Sequence, residues 1–122
     1  MSRLSKSVML VSGESSGDQH AANLFLELRK RCPEIQGIGM GGQKMAAAGI
    51  DIRYDSSNLG VIGVIEVIKR CAEIRRALKA MQQLLLEQRP DLLICVDYKE
   101  FNFKLATFAK KHGIKVLFYV SP

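Results

Sequence analysis
The sequence has no apolar run approaching the roughly 20 residues of a bilayer crossing. The longest near its start is Val8 to Val11, without the h-region of a signal peptide. Secretion and membrane spanning are therefore not expected, and the cytoplasm is. Cysteine is scarce as well. Three residues, separated by 39 (Cys32 to Cys71) and 24 (Cys71 to Cys95), form neither a disulfide framework nor a metal-ligand pattern, so the thiols read as small apolar packers in a reducing compartment. Repeats, low-complexity segments and linkers are missing too, which leaves 122 residues without a visible internal boundary. That is one compact domain at most, large enough to bury a core without staples. Acidic residues are the minority, 12 against 18 Lys and Arg. The net charge of +6 is uneven, +1 over residues 1–61 and +5 over 62–122, so an anionic partner would be drawn to the second half.

Val8 to Val11 reads as a short buried strand closed by Gly13-Glu14-Ser15-Ser16-Gly17, after which Asp18 can cap a helix. Ala21, Leu24, Phe25, Leu28 and Cys32 follow at helical spacing until Pro33 ends it. Ile35 to Met40 is a second, Gly-interrupted strand, Gln43 to Ala48 a short helix stopped by Gly49, and Ile50 to Tyr54 a third strand. A long helix runs from about Val64 to Gln88 and is broken by Pro90. Leu92 to Val96 is an apolar strand, Phe101, Leu105, Phe108 and Ala109 share one helix face, Gly113 supplies a C-cap, and Ile114 to Val120 is a fifth strand.

Strands that alternate with helices, several apolar on both faces, predict an α/β, Rossmann-like parallel sheet with helices on both faces. With the strand order 3-2-1-4-5, strand 5 is an uncovered apolar edge open to self-association. The chain stops at Ser121-Pro122, where another helix would follow, so the domain reads as truncated.

Ligands of open α/β sheets bind beyond the carboxyl ends of the strands, where the strand order reverses. That point falls between strands 1 and 4, so topology brings the Gly13 to Asp18 loop together with Asp97-Tyr98-Lys99-Glu100. The first loop fits the G-x-S-x-G nucleophile elbow, with Asp97 and His112 following in hydrolase order, but it follows the first strand, and His112 suits a capping role beside Gly113. A Gly/Ser turn, or a phosphate or sugar held by the helix N-terminus, fits the same residues. Gly37, Gly39 and Gly42 satisfy G-x-G-x-x-G with Asp55 at ribose-contact distance, although two of them fall inside strand 2, where a tight-packing turn is the simpler reading. Asp97, delivered by an apolar strand to the ligand edge, suits a general base or the cap of the next helix.

On the long helix, Val64, Val67, Cys71, Ile74, Leu78, Met81 and Leu85 form a stripe for the sheet. Val61, Ile65, Ile68 and Ala72 fall on the other side among Lys69, Arg75, Arg76 and Lys79. An apolar patch ringed by basic groups fits an interfacial membrane contact, or packing against a partner or a further part of the protein, more than it fits nucleic acid.

Three stretches in order resemble the amino-terminal part of the lipid-A-disaccharide synthase family, inverting glycosyltransferases of the two-domain GT-B type. They are Val11-Ser12-Gly13-Glu14-Ser15-Ser16-Gly17-Asp18; Gly39-Met40-Gly41-Gly42-Gln43-Lys44-Met45 with Leu59-Gly60-Val61-Ile62-Gly63-Val64-Ile65-Glu66-Val67; and Arg89-Pro90-Asp91 through Asp97, Phe101-Asn102 and Gly113-Ile114-Lys115 to Tyr119-Val120-Ser121-Pro122. The resemblance implies transfer of 2,3-diacylglucosamine from its UDP conjugate to the 6-hydroxyl of 2,3-diacylglucosamine 1-phosphate, giving the β(1→6) disaccharide of lipid A and UDP. It implies work at the inner face of the cytoplasmic membrane, with Val61, Ile65, Ile68, Lys69, Arg75 and Arg76 meeting the lipid surface. Asp97 matches the proposed base, and Glu14, Ser15, Ser16, Gly17 and Asn102 match residues that line the cleft. No metal or other cofactor is implied, since helix dipole and basic groups offset the diphosphate charge. One departure stands at Tyr98-Lys99-Glu100, where the family usually reads Ala-Pro-Asp before Phe-Asn. On this resemblance residues 1–122 are an acceptor-side domain, not competent without the carboxyl-terminal UDP-sugar domain. A non-catalytic Rossmann-like binding module remains the alternative.

Overall fold
The computed structural model describes residues 6–13, 15–55, 64–96 and 99–119. Strands and helices alternate through it as β1 (Ser7–Ser12), α1 (Ser15–Arg31), β2 (Gln36–Gly41), α2 (Gln43–Ala47), β3 (Asp51–Asp55), α3 (Val64–Gln88), β4 (Leu92–Val96), α4 (Lys99–Lys111) and β5 (Val116–Tyr119). All the strand pairs are parallel, in the order β3-β2-β1-β4-β5 expected from the sequence.

The central strands β1 and β4 are apolar on both faces because each face meets helices. Met9 and Val11 of β1, with Leu93 and Cys95 of β4, face Ala77, Met81, Leu84 and Leu85 of α3 and Phe101, Leu105 and Ala109 of α4. Val8 and Leu10, with Ile94 and Val96, face Ala21, Ala22 and Phe25 of α1 and Met45 of α2. The period-two alternation of a strand thus sorts neighbouring residues into opposite cores. Each wholly buried Leu or Met among them contributes on the order of 1.5–3 kcal/mol.

Helix ends follow backbone chemistry. Pro33 and Pro90 lie just past α1 and α3, and the positive φ of Gly49 (104°) and Gly113 (78°) stops α2 and α4. Arg89 reaches the left-handed region without being glycine, at φ 42°, and its guanidinium donates to the His112 carbonyl at 2.9 Å. The ends of α3 and α4 are thereby tied at the amino edge of the sheet.

Several local expectations need correction. Ile35, Ile50 and Ile114 do not begin strands; they pack beneath the connections, and β2, β3 and β5 begin one or two residues later. Val120 lies outside the described residues. Helix α1 starts at Ser15, so Asp18 sits inside its first turn and does not cap it. Only Cys95 is a buried packer; Cys32 lies half-buried past the end of α1 and Cys71 is exposed. On α3 the stripe holds through Ile74, Leu78, Met81 and Leu85, joined by Ala77 and Leu84, but not at Cys71, which is exposed. The side chains of Val64 and Val67 lie outside the described residues. The uncovered edge is as expected, with Leu117, Phe118 and Tyr119 of β5 45%, 50% and 37% exposed.

Candidate functional site
Parallel strands deliver the segments that follow them to one edge. Ser12 is the register partner of Val96 in the β1–β4 ladder, so the turn beginning at Gly13 and the segment beginning at residue 97 leave the sheet as neighbours where the strand order reverses. Helices α1 and α4 follow these two segments, so two positive helix ends flank the same point, a setting that favours an anion. Glu14 and Asp97 lie outside the described residues, and Ser15 and Ser16 are placed as the first residues of α1 without their side chains. Gly17 is buried in that turn.

Asn102 is turned into the fold. It is 1% exposed, and its Nδ2 donates to the Val11 carbonyl oxygen at 3.4 Å, joining the first turn of α4 to the end of β1 across 91 residues of sequence. Beneath it the Cys95 thiol, pushed up to about 12 by burial, donates to the Asn102 carbonyl at 4.0 Å. At neutral pH Cys95 is a protonated packer and no nucleophile.

Asp18 has an assignment that local sequence did not reveal. Its Oδ1 accepts from the backbone N–H groups of Gly42 at 3.0 Å and Met45 at 2.9 Å, and its Oδ2 from that of Lys44 at 2.9 Å. The carboxylate of one helix therefore caps another, α2, whose own N-cap is the side-chain-less Gly42. The available signal was that gap: a short helix opening on Gly-Gly must borrow an acceptor from elsewhere.

The G-x-G-x-x-G spacing answers to packing. A Cβ at Gly37 would stand 2.7 Å from a ring carbon of Phe25, at Gly39 1.9 Å from the Leu10 carbonyl oxygen, and at Gly42 2.9 Å from Asp18 Oδ2. Gly37 and Gly39 are buried within β2, so close packing accounts for the spacing without a dinucleotide. The serine-hydrolase constellation fails on distance. His112 follows the carboxyl end of α4, a 13-residue helix about 20 Å long, which puts it at the edge opposite Ser15. Its ring packs on Phe108 with centroids 4.5 Å apart.

The model of the family described as lipid-A-disaccharide synthetase matches residues 8–122. The chain belongs to this family. It is 50% identical over 115 residues to the lipid-A-disaccharide synthase of Nitrosococcus oceani, covering 94% of this chain and 30% of that protein. To the synthase of Geobacter sulfurreducens it is 43% identical over the same length, again 94% of this chain and 30% of the relative. The chain thus spans about 30% of the length of these curated relatives. Among solved structures, a UDP-N-acetylglucosamine 2-epimerase superposes with a TM-score of 0.60 at 20% identity, covering 93% of this chain and 33% of that one, a likeness of fold.

Family membership gives the glycine-rich first turn and strand β4 their context, and it directs attention to α3. Val61 lies outside the described residues, and Ile65, Ile68 and Lys69 lie in α3 without described side chains. Arg75 is exposed, whereas Arg76 pairs with Glu73 on its own helix. The other Glu73 oxygen accepts from the Tyr54 hydroxyl at 2.7 Å. Burial, then the bond to Glu73 and its charge, raise the Tyr54 phenol above its ordinary value. This tie between β3 and α3 had no sequence signal. A cavity of about 400 Å³ between Phe25, Arg29, Gln36, Asp51 and Arg53 opens at the amino edge, and none of the residues expected to touch substrate lines it. No helix among the described residues is long and apolar enough to cross a membrane.

Proposed function
We propose that this chain forms the acceptor-side wall of a lipid-A-disaccharide synthase. The enzyme transfers 2,3-diacylglucosamine from its UDP conjugate to the 6-hydroxyl of 2,3-diacylglucosamine 1-phosphate. The observation that supports the reading is the Ser12–Val96 pairing in a chain of this family, because the two strands end side by side and the glycine-rich turn and Asp97 come next in sequence. In the reaction, Asp97 accepts the proton of the acceptor hydroxyl as that oxygen attacks the anomeric carbon of the donor. The anomeric C–O bond to the diphosphate breaks, and UDP leaves with the electron pair. Attack opposite the leaving group gives the β(1→6) linkage. Glu14, Ser15, Ser16 and Gly17 line the acceptor side, and Asn102 holds the ends of β1 and α4 in register beneath them. The positive ends of α1 and α4 offset the phosphate charge.

The relatives are longer than the 30% that this chain spans, and the UDP-sugar wall is assigned on this reading to their remainder. Both substrates carry acyl chains, so the enzyme works at the inner face of the cytoplasmic membrane, with the forward half of α3 against the lipid surface. In isolation, the exposed side chains of β5 favour pairing with a second copy.

The direct test is a chimera in which this chain replaces the matching segment of the Nitrosococcus oceani synthase. Supplied with both lipid substrates, it should release UDP and form the disaccharide, while the 122-residue chain alone should not. A folded chimera without turnover, beside an active parent, would refute the reading.

A further inference from the structure
Among the described residues Asp18 is the only charged side chain that is buried, 7% exposed. A buried carboxylate is costly unless bonded, and its three backbone N–H bonds at 2.9–3.0 Å meet that need. All three donors belong to the start of α2, yet Asp18 belongs to the first turn of α1, 24 to 27 residues earlier. The glycine pair ahead of α2 fits the same arrangement. A Cβ at Gly42 would stand 2.9 Å from Asp18 Oδ2, and one at Gly41 2.0 Å from Met45 Sδ. Ser15-Ser16-Gly17-Asp18 and Gly41-Gly42-Gln43-Lys44-Met45, separate in sequence, therefore form one unit beside the turn that follows β1.

We propose that Asp18 is a positioning residue for the sugar site: through the first turn of α1 it fixes Ser15, Ser16 and Gly17 at the carboxyl edge of the sheet, and it exchanges no proton with substrate. The proposal rests on the reading of that edge as the acceptor side. Both carboxylate oxygens accept from backbone N–H groups of the chain itself, the bonding of a group that holds structure in place. Holding the turn by a second, rigid element keeps its backbone N–H groups aimed without help from the ligand.

Asp18→Asn keeps the size and the Oδ1 bonds but turns an NH2 group onto the Lys44 N–H. In the chain itself, amide exchange at Lys44 should speed at least tenfold while Gly42 and Met45 change less, and the amide resonances of Ser15 to Gly17 should shift. Unmoved resonances at 15–17 would overturn the proposal, leaving Asp18 a cap for α2 and nothing more. In the active chimera, at a temperature where circular dichroism shows the variant fully folded, kcat should fall tenfold or more with the acceptor KM changed less. Gln19→Ala, which loses only the surface bond from Lys44 Nζ at 3.1 Å, should match the parent. A folded Asp18→Asn chimera with parental kcat would overturn the positioning role while the transferase reading stands. An inactive parent chimera would overturn the reading, and the positioning role with it.

Discussion
Ser12 and Val96 face each other at the last rung of the β1–β4 ladder, and the residue after Val96 is Asp97. The carboxylate that the proposed chemistry needs thus follows directly on β4, whose residues 93–96 are buried. Asp97→Asn in the chimera should lower kcat by about 10²-fold or more, the usual scale of a lost general base, while leaving the acceptor KM within a few-fold. A loss of kcat under about tenfold would contradict the general-base role.

The glycines of β2 and its turn differ in what opposes them, which orders their substitutions. At Gly39 the obstacle is the Leu10 backbone carbonyl, 1.9 Å from a would-be Cβ, and a paired strand cannot yield. At Gly41 it is the Met45 thioether, a flexible side chain. Gly39→Ala should cost on the order of 3 kcal/mol or prevent folding, and Gly41→Ala about 1 kcal/mol. Urea midpoints at constant m would show the ranking, and equal midpoints would refute it.

Much of the fold was legible because the apolar runs of β1 and β4, with Gly and Pro at the right breaks, are local signals. Both ends of α3 and β4 matched the periodicity, and the strand order is the one assumed for a doubly wound sheet. What was not legible was non-local. Asp18 looks like the cap of its own helix, since capping is normally a contact within a few residues, but its donors lie across the sheet edge. Cys71 continues a helical stripe by spacing, yet it is exposed while Ile74, three residues on, packs on the core, a difference that periodicity does not carry. Asn102 entered through the Phe101-Asn102 match of the family resemblance, and the bond of its Nδ2 to the Val11 carbonyl, 91 residues away, had no local signal.

Burial of Cys95 sets an alkaline limit on stability. Its pKa rises from the ordinary 9.0 to about 12, so between these values the folded chain keeps a proton that the unfolded chain has lost. Stability is fully present below pH 9 and falls as pH rises toward 12, by at most about 1.4 kcal/mol per unit for this one proton. The raised Tyr54 phenol adds to the loss in the same direction above its ordinary 10.0. Cys95→Ala should flatten the slope of urea-derived stability over this window. In native chain at pH 8, a disulfide reagent should modify exposed Cys71 and spare Cys95.

The forward half of α3 carries the proposed lipid contact, and the two described arginines beside it are not equivalent. Arg76 has a carboxylate partner in Glu73, which is itself held by Tyr54, while Arg75 is exposed with no ion pair shown among the described residues. An unneutralised Lys or Arg near an anionic surface is worth about 1 kcal/mol, roughly fivefold in partitioning. Co-sedimentation of the chain with anionic liposomes should therefore fall more for Arg75→Gln than for Arg76→Gln, and the difference should shrink as salt screens it. Replacing Ile65 and Ile68 by Ser should reduce binding at every salt concentration, because the apolar contribution is not screened. If neither pair of substitutions changes sedimentation, the patch on α3 packs against protein and the membrane reading falls.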